Sequence, residues 1–271
     1  MEDFKILTMQ DLSCMGQCSL TVALPILSHY GFETCVLPTA ILSNHTMFSS
    51  WSYLDLTKEI DNIFKEWEKN ELKFDAFLLG YLGKKDLIDV AKVCFEKFSH
   101  INSKILVDPV FADQGKIYPG FDMDYIMHLR GLLIYADIIL PNVTEASYLV
   151  GLKYQENHSY EYIKSLALNL RKYTRGKIVI TGVERENSIG EFILDGDNIK
   201  ELMHEKIPSK RHGTGDIFSS VFIAHYLLSN DIYKASEEAA LFVRRCLKNT
   251  SEKHFYGVEF EKILYGDIKH E

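Results

Sequence analysis

The chain has 271 residues, of which 46% are hydrophobic and 25% are charged, and its formal net charge is -8. The apolar content supplies a sizeable core and excludes a wholly disordered chain. The acidic balance disfavours a nucleic-acid partner, because proteins that bind phosphate backbones carry a basic excess. No run reaches the ~20 apolar residues of a membrane span. The five cysteines show no disulfide-type spacing, so we expect a cytoplasmic protein without a membrane partner.

Short apolar runs alternate with longer amphipathic segments along the whole chain, and no linker separates them. This pattern predicts a single α/β domain over residues 1–271, with a mainly parallel sheet between helices. The predicted strands are 5–9, 34–38, 74–79, 104–107, 137–140, 177–181 and 191–194. The predicted helices are 15–30, 86–100, 159–173, 215–229 and 232–249. Ligands of such sheets bind beyond the carboxyl ends of the strands, so polar residues at those ends are the candidates.

Hydrogen-bonding and aromatic residues follow the first three predicted strands. They are Gln10, Asp11 and Ser13 after the first strand, Ser43, His45 and Thr46 after the second, and Tyr81 after the third. These groups suit a flat ring with polar edges, although each of them is also a common loop residue. We therefore interpret the amino-terminal loops as candidates for a substrate pocket.

Carboxylates and hydroxyl groups follow the later predicted strands. Asp108 and Asp113 come after the fourth strand and are candidates for binding cations around phosphates. Asn142 and Glu145 follow the fifth strand, where their oxygens suit magnesium directly or through water, and where a plain helix cap is the alternative. Thr181 and Gly182 end the sixth strand, where a nucleotide phosphate can approach closely and a simple turn is the alternative.

The segment 211–216 precedes an apolar helix and contains Gly213, Thr214 and Gly215 ahead of Asp216. Glycines let the backbone present successive N–H groups, and the helix adds its positive end, so the segment suits an anion hole. Asp216 stands where a carboxylate can take the proton of a substrate hydroxyl. An ordinary capping turn produces the same short pattern. The chain lacks the glycine patterns of P-loop kinases and of dinucleotide-binding dehydrogenases.

As a set, the motifs resemble the vitamin B6 kinases of the ribokinase-like superfamily, most closely their short bacterial pyridoxal/pyridoxamine kinase branch. The segments that carry the resemblance are QDLSCMGQCSLTVALPILS, LPTAILSNHT, LLGYLG, VDPVFADQGKIYPGF, ADIILPNVTEASYLVG, IVITGV, HGTGDIFSS and HFYGVEFEK. The resemblance implies a three-layer α/β/α fold with a central, mainly parallel sheet. It also implies transfer of the ATP γ-phosphate to the 5′-hydroxymethyl group of pyridoxal, pyridoxamine or pyridoxine.

The resemblance also implies roles for the candidate residues and for their ligands. Asp216 is the implied catalytic base, and the implied anion hole is Gly213, Thr214 and Gly215. The implied substrate pocket is Asp11, Ser43, His45, Thr46 and Tyr81; the ATP contacts are Asn142, Thr181, Gly182 and Thr214; the metal residues are Glu145, Asp113 and Asp108. ATP is the implied donor with Mg²⁺, a K⁺ requirement stays open, and the implied assembly is a homodimer.

Two positions bear on the alternatives. Asp11 stands where the better-known pyridoxal kinases often have Ser, so the preferred vitamer stays open. The related hydroxymethylpyrimidine kinases often carry Cys in place of Asp216, which favours a B6 vitamer as the acceptor. A hydroxymethylpyrimidine or sugar kinase of the same fold remains an alternative. A non-catalytic ligand sensor is a further alternative, against which the intact Asp216 and its glycines argue.

Overall fold

The structure, a computed structural model, describes residues 4–46, 48–208 and 211–268. The strands in chain order are β1 (Lys5–Ser13), β2 (Glu33–Leu42), β3 (Tyr53–Asp55), β4 (Phe74–Leu79), β5 (Ser99–Val107), β6 (Ala112–Asp113), β7 (Lys116–Ile117), β8 (Ile138–Ile139), β9 (Lys177–Arg185), β10 (Ser188–Asp195) and β11 (Asn198–Glu205). The helices are α1 (Leu20–His29), α2 (Thr57–Lys69), α3 (Lys85–Phe98), α4 (Met123–Leu132), α5 (Val143–Val150), α6 (Tyr160–Leu170), α7 (Thr214–Ser229), α8 (Ile232–Asn249) and α9 (Glu261–Ile268).

The chain divides into two compact units, one formed by Met1–Leu78 with Ile207–Glu271 and the other by Leu79–Lys206. In the first unit the strand order is β4-β1-β2-β3. β1 and β2 are parallel, and β3 pairs antiparallel with the end of β2. α7 is buried along most of its length, including Ile217, Val221 and Phe222, which explains its nearly continuous apolar sequence.

In the second unit the strand order is β11-β10-β9-β8-β5, and β6 and β7 form a separate small hairpin. β5, β8 and β9 are parallel, whereas β10 and β11 are antiparallel to their neighbours. The apolar runs that predicted the parallel strands are buried, as expected for strands covered on both faces. The parallel core places the ends of β5, β8 and β9 at one edge, where α5 begins.

The predicted α/β class and all seven predicted strands are confirmed, and the strand and helix limits require corrections. β1 runs on to Ser13, so Gln10, Asp11 and Ser13 lie on the strand and not after it, because the long β2 continues to pair with them. Likewise, the hairpin with β10 extends β9 to Arg185, past Thr181 and Gly182. The single domain over 1–271 stays a prediction beside the two units.

Two predicted helices also differ from the observed ones. The predicted helix 15–30 begins only at Leu20, because Gly16 (φ 115°) and Ser19 (φ 49°) have left-handed backbone conformations that a helix excludes. The predicted helix 86–100 ends at Phe98, and β5 begins directly after it. Within residues 4–46, 48–208 and 211–268, no helix has both the length and the apolar character needed to cross a membrane.

Candidate active site

Asp216 lies in the first turn of α7, behind a glycine that the backbone requires. Gly213 caps the helix with φ 85°, and a Cβ there would lie 2.3 Å from the backbone oxygen of Gln17. Thr214 is half-buried, whereas Gly215 is exposed and a Cβ on it would meet no atom within 4 Å. The N–H groups of this turn have no acceptor within the helix, so the segment can receive an anion.

The Asp216 carboxyl group is held in a poorly solvated and negatively charged setting. Burial raises the pKa of Asp216 to about 6, the backbone N–H of Ser19 opposes this shift, and the charge of Asp11 adds to it. A carboxyl group with a pKa near 6 is ionised at neutral pH and is more basic than an ordinary aspartate. Asp216 is therefore suited to accept a proton.

Asp11 is the second carboxyl group of this cluster and is 5% exposed. Ser13 Oγ donates a hydrogen bond of 3.0 Å to Asp11 Oδ2. Burial raises the pKa of Asp11, while the hydroxyl groups of Ser19 and Ser13 and the charge of His45 act in the opposite direction. The structure thus brings Asp11, His45 and Asp216 into one electrostatic cluster within the first unit.

The loop after β2 carries three more of the residues predicted for the substrate pocket, Ser43, His45 and Thr46. His45 is 7% exposed, and its Nε2 lies 2.9 Å from the backbone oxygen of Tyr256. Gly16 is required here, because a Cβ on it would lie 1.9 Å from the His45 ring. Ser43 is exposed, and its Oγ donates to Asn44 and accepts from the N–H of Ser52. Thr46 is exposed at the tip of the same loop.

Ser19, Gln17 and a late segment join this cluster and are absent from the sequence-based candidates. Ser19 contacts both carboxyl groups, through its N–H to Asp216 and its hydroxyl to Asp11. Gln17 Nε2 donates hydrogen bonds of 2.7 and 2.8 Å to the two carboxylate oxygens of Glu261. Gly16 indicates a loop between β1 and α1, which could have drawn attention to Gln17 and Ser19. Nothing in the sequence predicts the hydrogen bonds between Gln17 and Glu261.

In the second unit, Asp108 and Glu145 form a buried acidic pair. They are 8% and 2% exposed, respectively. Glu145 Oε1 accepts from the N–H of Phe111 at 3.1 Å, and its Oε2 accepts from the N–H of Asn142 at 2.8 Å. Burial first, and then the charge of Asp108, raise the pKa of Glu145 well above its ordinary range. Two buried acids side by side offer a place to positive charge.

The N-terminus of α5 holds the small β6–β7 hairpin in place. Asn142 Oδ1 accepts from the N–H of Glu145 at 2.9 Å, and Asn142 Nδ2 donates to the Ala112 oxygen at 2.8 Å. Thr144 Oγ1 accepts from the N–H of Gly115 at 3.0 Å. The capping arrangement considered from the sequence is therefore present. Asn142 uses its Oδ1 in this cap and its Nδ2 to hold the hairpin.

The remaining predicted residues of the second unit lie in different settings. Asp113 is exposed on β6, and its Oδ1 accepts from the N–H of Gln114 at 2.8 Å. Thr181 forms a parallel bridge with Asn142, and Gly182 beside it has φ 67°. Tyr81 packs edge-on against Phe121, with ring centroids 5.5 Å apart.

Within the described part of the chain, no three His, Cys, Asp or Glu side chains meet as a metal-binding group. The predicted metal set of Asp108, Asp113 and Glu145 is thus not one cluster of three. Asp108 and Glu145 are neighbours, whereas the Asp113 carboxylate accepts a hydrogen bond from the N–H of Gln114 in its own turn. The role of each residue in binding stays a prediction.

Comparisons with known proteins agree on one family. The model of the phosphomethylpyrimidine kinase family matches residues 28–258. A crystal structure of a Bacteroides thetaiotaomicron protein, in an orthorhombic form with pyridoxal, is 34% identical, with a TM-score of 0.91 over 98% of this chain and 96% of that one. The pyridoxal kinase of Lactobacillus plantarum is 29% identical, with a TM-score of 0.90 over 98% and 97% of the two chains. The hydroxymethylpyrimidine/phosphomethylpyrimidine kinase of Bacillus subtilis is 30% identical and covers 72% of this chain and 69% of its own length.

Proposed function

Because the chain belongs to the phosphomethylpyrimidine kinase family, we propose that it transfers the γ-phosphoryl group of ATP to a hydroxymethyl group on a small aromatic ring. The acceptors that we propose are the B6 vitamers pyridoxal, pyridoxamine and pyridoxine. The observation that carries this proposal is the Asp216 carboxyl group, with its raised pKa, behind the glycine-capped N-terminus of α7. The similarity to the pyridoxal kinase and to the pyridoxal-containing structure supports the choice of acceptor.

In the proposed reaction, the backbone N–H groups at Gly213, Thr214 and Gly215 stabilise the charge that spreads over the phosphoryl oxygens in transfer. The positive end of α7 adds to this stabilisation. Asp216 orients the attacking hydroxyl group and accepts its proton. Asp11 and His45 lie in the same cluster and are proposed to contact the polar edge of the acceptor ring. Asn142, Thr181 and Gly182 are proposed to contact the nucleotide phosphates.

Mg²⁺ fits the acidic pair of the second unit, because two neighbouring buried carboxyl groups supply the oxygen ligands and negative charge that a divalent cation favours. Asp108 and Glu145 would hold the ion directly or through water. Bound Mg²⁺ would supply charge neutralisation for the phosphate oxygens. Glu145 would keep its role as acceptor for the N–H groups of Asn142 and Phe111.

Replacing Asp108 by Asn tests the metal assignment through stability as well as activity. We expect the melting temperature of the metal-free protein to rise by about 2–4 °C, because the variant removes the charge that opposes Glu145. We also expect MgCl₂ to stabilise the variant less than the wild type in a thermal-shift titration. The control is Glu156→Gln, which changes an exposed acid of the same unit. Equal responses of all three proteins to MgCl₂ would contradict the assignment.

A second candidate acceptor is hydroxymethylpyrimidine, favoured by the 30% identity to the Bacillus subtilis enzyme. The deciding experiment is an acceptor panel with ATP, in which product phosphate esters are measured for pyridoxal, pyridoxamine, pyridoxine, hydroxymethylpyrimidine and ribose. We expect the B6 vitamers to have the highest kcat/KM. A higher kcat/KM for hydroxymethylpyrimidine would replace the proposed acceptor, and turnover of ribose alone would contradict an aromatic pocket.

Family membership supports two further proposals about the whole protein, namely that it forms a homodimer and that it is cytoplasmic. The described cysteines form no disulfide, which agrees with a reducing compartment.

A further inference from the structure

Glu191 is a buried carboxyl group on β10 that the proposed chemistry leaves without a role. Its side chain is 6% exposed, and its Oε2 has no hydrogen-bond partner among the described residues. Burial raises the pKa of Glu191 to about 8, so the group is protonated at neutral pH. An unpaired buried carboxyl group costs stability, and an apolar residue of similar size would avoid that cost. Its presence therefore indicates a use outside folding.

Glu191 lies beside the segment of β9 that is proposed to contact the nucleotide. The pairing of β9 with β10 is irregular between Gly190 and Phe192. At this point Thr181 and Gly182 of β9 lie between the regularly paired residues Ile180 and Val183. Adjacent strands lie about 5 Å apart, so the Glu191 backbone is next to this bulge. Asn142 forms a bridge with Thr181 of β9, and β10 is the next strand towards the edge of the sheet. Glu191 is the polar residue of β10 that lies across from Thr181 and Gly182.

The neighbours of Glu191 on its own face include His204 of β11, which pairs with Ile189 on the same side of the strands. Phe192 packs towards Tyr160 of α6, with ring centroids 5.7 Å apart. Because successive side chains of a strand point to opposite faces, Glu191 lies on the face away from α6. Its cross-strand partner on β11 is Leu202. A small number of buried polar groups beside apolar residues such as Leu202 is typical of sites that orient a ligand.

We propose that Glu191 recognises the purine base of the nucleotide donor through a protonated carboxyl group and thereby favours adenine over guanine. A protonated carboxyl group presents an O–H donor beside a C=O acceptor. On its N7 edge, where we place the contact, adenine presents the complementary pair of an N6–H donor beside the N7 acceptor, whereas guanine presents two acceptors there, N7 and O6. This inference rests on the proposed ATP-dependent kinase activity.

The test compares Glu191→Leu and Glu191→Gln with the wild type, measuring kcat and KM for ATP and for GTP. We expect Glu191→Leu to raise the KM for ATP by about tenfold with kcat nearly unchanged, because two hydrogen bonds to the base are lost. The KM for GTP should change little. Glu191→Gln keeps a donor beside an acceptor and should retain a wild-type KM for ATP.

A stability measurement separates this role from a structural one. Glu191→Leu removes an unpaired buried group and should raise the melting temperature. The matched control is Thr39→Val on β2, which also removes a fully buried polar atom without a partner and should leave the KM for ATP unchanged.

An unchanged KM for ATP in Glu191→Leu, or the same rise in Glu191→Gln, would overturn the inference while the kinase assignment stands. If the wild type phosphorylates no acceptor, the proposed function fails. Calorimetric binding of ATP to the wild type and to Glu191→Leu then still tests the contact: about tenfold weaker binding supports it, and equal binding contradicts it.

Discussion

Replacing Asp216 by Asn is expected to lower kcat by about 10²–10⁴, with the KM values for ATP and pyridoxal within a few fold of the wild type. Asn has the same shape and can still accept the N–H of Ser19, but it cannot take up the proton of the attacking hydroxyl group. Steady-state kinetics with both substrates varied gives kcat and the two KM values. Circular dichroism checks that the variant is folded like the wild type.

The control for this substitution is Glu161→Gln, which also removes an acid from the first turn of a helix, in this case α6. Both substitutions remove a negative charge that interacts favourably with the positive end of a helix. Only the change at Asp216 should affect turnover. Near-normal kcat in Asp216→Asn would show that another group serves as the base.

The pH dependence of the wild type provides an independent readout of the same group. Burial raises the pKa of Asp216 to about 6, so the carboxyl group is largely protonated below that pH and ionised above it. A base must be ionised to work, and kcat should therefore rise with pH and level off above about pH 7. This limb should be missing from the residual activity of Asp216→Asn. A profile that falls over the same range would contradict the assignment.

Replacing Gly213 by Ala is expected to abolish most activity and to destabilise the first unit. The positive φ of 85° alone costs a non-glycine residue about 1–2 kcal/mol. The new Cβ would in addition lie 2.3 Å from the Gln17 backbone oxygen, so the start of α7 or the loop at Gln17 must move. Either movement displaces the N–H groups that are proposed to bind the phosphoryl group. Thermal unfolding and kcat measured on the same preparation test both parts.

Gly215→Ala is the matched stability control, since it makes the same change two residues later in the same helix. A Cβ at Gly215 meets no atom within 4 Å, and alanine is favoured over glycine inside a helix by about 1 kcal/mol. We expect its melting temperature to equal or exceed that of the wild type. Equal stability of the two variants would show that the start of α7 tolerates a side chain at Gly213.

The sequence predicts the parallel core well, because strands buried on both faces have continuous apolar sequences. Residues 105–107 and 178–180 are continuous apolar runs, and both lie in observed strands. The edges are harder to predict from local pattern. β3 carries three exposed residues, and β11 owes its strand form to pairing with β10. The length of β1 depends likewise on its distant partner β2.

The candidate site shows the same division between local and distant signals. Asp216 and its glycines stand together in six residues, and Asn142 with Glu145 forms the capping box that their spacing indicates. Ser19, by contrast, contacts Asp216 and Asp11 only because a turn of positive φ brings its N–H and hydroxyl group towards both. Glu191 looks like an ordinary polar position in an antiparallel strand, and only its burial distinguishes it.

The contacts of the late segment with the amino-terminal loops affect the order in which the protein can mature. Tyr256 binds His45, and Glu261 binds Gln17, so these loops are completed only by residues that follow them by 211 and 244 positions. The second unit, Leu79–Lys206, is inserted between the two segments of the first unit. The second unit can therefore finish folding while the later segment of the first unit is still being synthesised. A nascent chain would therefore lack the complete set of these loop contacts until Glu261 has been synthesised.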